Sequence, residues 1–234
     1  MNNLISKVSK NDIQLTIAIP TFNRASYLNK SLECIAPQLN AHSNVELIVI
    51  DNASTDQTHE VCQKYEELDN FSYYRLDQNF GMSASQYECL LKANGNYLLI
   101  FADDDYLEPN GIRIILDAIS KDFDLYAFNY KSAKFKHKNS PIGPTNSCKF
   151  EYGFQLMNYP SVGHMSGLVY RKCLILKEAK KLLEIFPLKY FNSTRGIYGP
   201  AFTSLANNSR DSFYDGKVLF SAEEQDILDY NGLS

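Results

Sequence analysis

Asp103, Asp104 and Asp105 stand side by side, directly behind the apolar run Tyr97-Leu98-Leu99-Ile100-Phe101-Ala102. Three adjacent carboxylates repel one another, and holding them together costs free energy unless a cation or another partner compensates. A divalent ion is a natural compensator. Oxygen-only ligands point to Mg2+ or Mn2+, which prefer octahedral sites shared with phosphates. The competing reading is a solvated Asp-rich turn, or an N-cap for a helix beginning near Pro109. Three other stretches carry comparable polar groups: Pro20-Thr21-Phe22-Asn23-Arg24, Asp51-Asn52-Ala53-Ser54-Thr55-Asp56 and Asn79-Phe80-Gly81. In the last, a glycine lets backbone approach a ligand closely. Each could be turn chemistry alone, with Asp56 a simple helix cap.

Hydrophobic patterning indicates what must hold these groups. The run 97–102 follows a Gly95-Asn96 turn and reads as a strand buried on both faces. Residues 15–19, stopped by Pro20, form another, and so do residues 45–50, 71–76 and 125–130. Between them Leu28, Leu32, Ile35, Ala36 and Leu39 recur at helical spacing. So do Val61, Tyr65 and Leu68, then Ala84, Tyr87, Leu90 and Leu91, then Ile112, Ile115, Leu116 and Ile119. This alternation predicts an α/β fold over residues 13–130: a doubly wound, mainly parallel sheet flanked by helices, with right-handed crossovers. Ligands of such sheets bind outside the carboxyl ends of the strands, where the polar stretches fall. No GxGxxG or Walker lysine is present, which leaves a metal as the counter-charge for a diphosphate.

Beyond residue 130 the pattern is less regular. Residues 131–149 hold five lysines and His137, no acidic residue, and a Pro141-Ile142-Gly143-Pro144 turn. They read as a solvated loop, or as a mobile flap meeting anionic phosphate or an acidic membrane surface. Residues 166–170 look like a strand and 174–186 like an amphipathic helix, while 187–212, rich in Asn, Ser and Gly, suggest no element.

Composition excludes several classes. The chain has 234 residues, 44% of them hydrophobic and 21% charged, as expected of a globular protein. A net charge of −4 argues against nucleic-acid binding. No apolar stretch is long enough to span a membrane, and residues 1–12 lack the apolar core of a signal peptide. Five widely separated cysteines, three of them on the first three helical patterns, suggest buried thiols in a reducing cytoplasm. Some of the 16 Tyr and 14 Phe could serve as sugar platforms, although most must fill the core.

The blocks LTIAIPTFNR (15–24), ELIVIDNASTDQT (46–58), DQNFGMSAS (77–85) and GNYLLIFADDDYLEP (95–109) resemble, in order and spacing, those of family 2 glycosyltransferases of the GT-A fold. The resemblance covers about residues 13–120 and implies inverting transfer of a sugar from a nucleotide-diphosphate donor to a saccharide or lipid-linked acceptor. By that likeness residues 13–130 form the nucleotide-sugar-binding half of one domain and 131–234 its acceptor side, with 1–12 an N-terminal extension. Thr21 and Phe22, with Asn23 and Arg24 beside them, would flank the base, and Asp51 and Asn52 would contact base or ribose. Asn79 and Gly81 belong to the same donor site. Asp103 and Asp104 would contact ribose and diphosphate, and Asp104 and Asp105 the metal, Mn2+ or Mg2+. Two positions depart from the pattern. Asn52 stands where many members have a second Asp, and because Asn both donates and accepts, a uridine donor does not follow. Ala102 stands at the usual first acidic position. Asp103 takes its place, as in relatives that add unusual deoxysugars to lipopolysaccharide or capsule.

Displacement at the anomeric carbon also needs a base for the acceptor hydroxyl. The family usually supplies an Asp in the second half, often in a Glu-Asp pair, yet residues 186–190 and 198–200 contain no carboxylate. The candidates are His164, Asp211, Glu223 and Glu224; His164 also reads as a structural histidine. The missing pair makes a catalytically idle nucleotide-sugar-binding module the alternative. A nucleotidyltransferase would carry a Gly-rich loop after the first strand, and residues 20–24 have no glycine. Cytoplasmic action, with peripheral contact to a membrane that holds the acceptor, is the expected setting.

Overall fold

A computed structural model describes residues 13–132, 141–159, 164–191, 197–209 and 211–222. The first half alternates as the patterning predicts: β1 (Leu15–Thr21), α1 (Ala25–Leu39), β2 (Val45–Asp51), α2 (Thr58–Gln63), β3 (Phe71–Arg75), α3 (Met82–Lys92), β4 (Tyr97–Ile100). There follow β5 (Asp105–Leu107), α4 (Gly111–Ile119), β6 (Leu125–Ser132), β7 (Cys148–Phe150), β8 (Leu168–Arg171), α5 (Lys172–Ile185), α6 (Tyr198–Asn208) and β9 (Ser212–Ala222). Among the described residues the strands form one sheet in the order β3-β2-β1-β4-β8-β6-β9-β5, with β7 on β9. Strands β3, β2, β1 and β4 are all parallel. β8 lies antiparallel between β4 and β6, while β6 and β9 are again parallel.

Strand β1 runs two residues past its expected end at Ile19, through Pro20 to Thr21. The N–H of Phe101 donates to the carbonyl of Ala18, whereas the N–H of Asn52 donates to that of Thr21. Backbone groups alternate sides along a strand, so the nitrogen of Pro20 faces the β4 side. Pairing there has already ended at Ala18 and Ile100. A proline is tolerated where no ladder bond is due. Thr21 is thereby held at the sheet's carboxyl edge.

Both faces are covered. Ile17, Ile19, Leu47, Val49 and Leu99 share one core with α1 and α4. Ala18, Ile48, Ile50, Leu98 and Ile100 share another with α3, α5 and α6. This two-sided burial accounts for the continuous apolar runs. Removing one such side chain from water contributes roughly 1.5–3 kcal/mol.

Several sequence expectations shift. Helix α2 ends at Gln63, and Tyr65 and Leu68 pack on the core from the turns that follow it. The helix expected near Pro109 starts at Gly111, after Asn110 in the left-handed region at φ 67°. Residues Met165–Gly167 form a 3-10 turn ahead of β8. The stretch 187–212, left without an element, holds a 3-10 turn at Leu188–Phe191, all of α6 and the start of β9. All five cysteines are free. Cys62 and Cys89 are buried and Cys34 half-buried, while Cys173 is exposed. No described helix is long and apolar enough to cross a membrane.

Candidate functional site

From β1 the chain winds outward through β2 and β3, then crosses back to place β4 on the other side of β1. The carboxyl ends of β1 and β4 therefore flank the switch point, where an open α/β sheet leaves a crevice. The hydroxyl of Thr21 donates to Asp103 Oδ2 across that gap at 2.7 Å. Arg24, between β1 and α1, donates through Nε to Asp103 Oδ1 at 2.8 Å and through a terminal nitrogen to Asp104 Oδ2 at 2.7 Å. One guanidinium thus compensates two of the three carboxylates, and it also lies 4.7 Å from the Tyr27 ring. The aspartates do not cap α4, whose N-cap is Asn110. They are not a solvated turn either, since Asp103 and Asp105 are buried.

Burial sets their protonation. It pushes Asp103 up to about 6, against the pull of Arg24 and Thr21. Burial also raises Asp105 well above the ordinary carboxylate range, Ser166 opposing and the two neighbouring aspartates adding. For Arg24 burial acts downward, but the two carboxylates prevail and raise it.

Asp105 turns to a different set of partners. It accepts a hydrogen bond from the hydroxyl of Ser166, whose oxygen in turn accepts the N–H of Ala102 at 2.9 Å. His164 Nδ1 lies 3.4 Å from the same carboxylate. The imidazole is flanked by the rings of Tyr130 and Phe220 at 5.2 and 4.9 Å. His164 therefore stands beside the acidic cluster.

The loops beyond β1 and β2 are sewn together. Asn23, at φ 53°, donates its N–H to Ser54 Oγ and accepts the N–H of Thr55 through Oδ1. Asp56 accepts the Ala25 N–H at the start of α1 and the N–H and hydroxyl of Thr58 at the start of α2, whose N-cap is Gln57. Its many donors hold its carboxyl below the usual range although burial opposes them. Phe22 is half-buried beside this seam. Asn52 donates to Asn79 Oδ1 at 2.8 Å and accepts the N–H of Phe80 at 3.0 Å. Asn79 Oδ1 also takes the N–H of Gly81, whose φ of 87° favours glycine. Asn52 is thus the clamp of the 79–81 loop. Asp51 lies behind the wall, fully buried, its oxygens taken by Tyr73, Arg75 and the N–H of Ser54.

Asp211 is placed at the opposite edge. It accepts the N–H of Asp124 just before β6, level with the amino end of β4. That distance removes it as a partner of the aspartate cluster. Glu223 and Glu224 lie outside the described residues, as do the N-terminal extension 1–12 and residues 133–140 of the basic segment. Of that segment's other lysines, Lys131 pairs with Glu108 at 3.2 Å and Lys149 covers the Phe123 ring at 5.0 Å. Sequence reading missed Ser166, Tyr130 and Phe220. Ser166 had a faint signal, two residues after His164; Phe220, on a strand not anticipated, had none.

Among the described residues no three His, Cys, Asp or Glu side chains converge as a metal cage. Asp104, partly exposed, and Asp105 follow one another in the chain, the first paired with Arg24 and the second with Ser166. That donor set fits Mg2+ or Mn2+, which take one or two carboxylates and complete an octahedron with substrate phosphate and water.

Residues 16–175 match the profile described as glycosyl transferase family 2. The abequosyltransferase RfbV of Salmonella typhimurium is 32% identical over 119 residues, half of this chain and 36% of that protein. The first curated relatives are matched over only 17%, 36% and 41% of their own length. Among solved structures, Staphylococcus aureus TarS 1-349 in complex with UDP-GlcNAc superposes with a TM-score of 0.72 at 21% identity, covering 95% of this chain and 62% of that one. The mannosyltransferase PcManGT from Pyrobaculum calidifontis, in complex with GDP-Man and Mn2+, gives 0.60 at 14% identity, covering 89% of this chain and 56% of that one. Likenesses at such identity speak for the fold alone, the GT-A-like arrangement that the sequence blocks imply.

Proposed function

Because the chain belongs to glycosyl transferase family 2, we propose that it moves a sugar from a nucleotide-diphosphate donor to a saccharide or lipid-linked acceptor, with inversion, in surface polysaccharide assembly. Lipopolysaccharide or capsule is the class of product we assign, acted on from the cytoplasmic side. The observation that carries the reading is the aspartate cluster at the switch point between β1 and β4. The abequosyltransferase among the relatives, and the donors and Mn2+ named with the two solved structures, support it.

In this reading residues 21–24, the Asn52-clamped loop 79–81, and Asp103 bind the nucleoside side of the donor. Asp51 acts from behind, by fixing the end of β2. Asp104 and Asp105 would hold Mg2+ or Mn2+, and the ion would supply Lewis-acid stabilisation of the charge that gathers on the departing diphosphate. Arg24 adds a fixed positive group beside that charge. The bond from the anomeric carbon to the diphosphate oxygen breaks, and its electron pair leaves with the nucleotide. The acceptor oxygen bonds from the opposite face, and its proton passes to a base. His164 is our candidate for that base, with Asp105 orienting the ring and Tyr130 and Phe220 confining it.

One observation favours a second reading, the idle binding module: Asp211, a carboxylate candidate for the base, is at the far edge of the sheet. An assay of nucleotide-sugar hydrolysis and transfer with Mn2+ separates the two. Metal-dependent turnover is expected. Donor-induced thermal stabilisation without any turnover would leave only the binder.

A further inference from the structure

We propose that the end of α5 and the 3-10 turn Leu188–Phe191 form a docking surface for an anionic membrane. It rests on the reading above only for its purpose, bringing the cleft to a lipid-linked acceptor; the docking needs no donor. Helix α5 buries Ile175 and Ala179 against the core and turns Lys177, Lys180 and Lys181 outward. Lys181 is neutralised by buried Glu178 at 2.8 Å. Lys177, Lys180 and Lys189 form no ion pair among the described residues, and they outnumber Glu184, the exposed acidic side chain of α5.

Directly beyond them Ile185, Phe186 and Tyr190 are 69%, 48% and 69% exposed. The segment is not a frayed end, because Leu188 and Phe191, both half-buried, pack against the core and Phe191 meets the Phe186 ring edge-on at 6.2 Å. The anchored residues thus fix a turn that presents its other large apolar side chains to solvent. Exposed large apolar groups in one patch call for a partner. Basic side chains around an apolar tip are complementary to a layer in which anionic headgroups lie above acyl chains. Position agrees with this role: α5 and the turn both pack on α3, the helix entered from the 79–81 loop of the donor site.

The test is sedimentation of the full chain with phosphatidylcholine vesicles, with and without phosphatidylglycerol. Binding is expected only to the anionic vesicles, with release by added salt. Lys180→Glu with Lys189→Glu, and separately Phe186→Ser with Tyr190→Ser, are each expected to weaken it about tenfold or more. Both variants should keep the thermal shift that nucleotide sugars give the wild type. Wild-type protein left in the supernatant, equal binding to uncharged vesicles, indifference to salt, or variants that bind like wild type would each overturn the proposal. Charge-dependent docking in a chain that no nucleotide sugar stabilises would instead leave the docking standing and sink the donor reading.

Discussion

Arg24 lies between Asp103 and Asp104, and its guanidinium offsets much of the repulsion that a run of three carboxylates sets up. The run was legible in the sequence; its division was not. Asp103 turns to β1 and Asp105 to Ser166 and His164, and that choice is made by residues 59 to 82 positions away in the chain. Two predictions belong at this scale. Replacing His164 by Ala removes the proposed proton acceptor while leaving the nucleoside contacts, so turnover should drop at least about tenfold with donor affinity unchanged. Steady-state kinetics beside a donor titration checks this, and undiminished turnover removes His164 from the mechanism. The second concerns pH. Burial raises Asp103 to about 6 in the folded chain, against about 3.9 unfolded. A raised folded value stabilises below the unfolded pKa, and that contribution is lost as pH rises through the folded one. Between pH 4.5 and 7.5 it should cost about 2 kcal/mol. Asp103→Asn cannot ionise, so its urea-derived stability should fall less over that range. Parallel pH profiles would contradict the assignment.

At the scale of elements, the strands of the first half announce themselves because both faces are buried and the runs are therefore apolar throughout. Strand β9 does not. Its apolar residues Phe213, Tyr214, Leu219 and Phe220 are split by Asp215-Gly216-Lys217, where the pairing with β6 shifts register, so neither a period of two nor a continuous run appears. Helix α6 hides in a stretch rich in Asn, Ser and Gly, and it packs on α5, on α3 and on the 3-10 turn Gly153–Asn158, elements distant in the chain. Gly95 shows how tightly the elements that place the site are joined. Its N–H donates to Thr16 Oγ1, and an added Cβ would meet the Thr16 backbone nitrogen at 2.5 Å and the Leu15 carbonyl carbon at 2.7 Å. These are backbone atoms of β1 and cannot swing aside. Gly95→Ala should therefore destabilise by at least about 1–3 kcal/mol, read from the shift in denaturant midpoint. An unchanged midpoint would show that β1 and β4 tolerate separation.

Across the whole molecule, the reversal of winding between β1 and β4 brings one loop from each into contact, and the antiparallel β8 delivers Ser166 and His164 to the same place. The first half was legible because it is built from short contiguous blocks. In the second half β8 and α5 were legible as well, whereas α6 and β9 were not, because β9 is held by long-range pairing with β6 and β5. The central claim is that Asp104 and Asp105 hold a divalent ion shared with the donor's diphosphate. Calorimetric titration of nucleotide sugars, with and without Mn2+, into the wild type and Asp104→Asn tests it most directly. The account predicts heat for a matching donor that needs Mn2+ and is lost in the variant. Heat that persists without the ion, or survives the substitution unchanged, would contradict it.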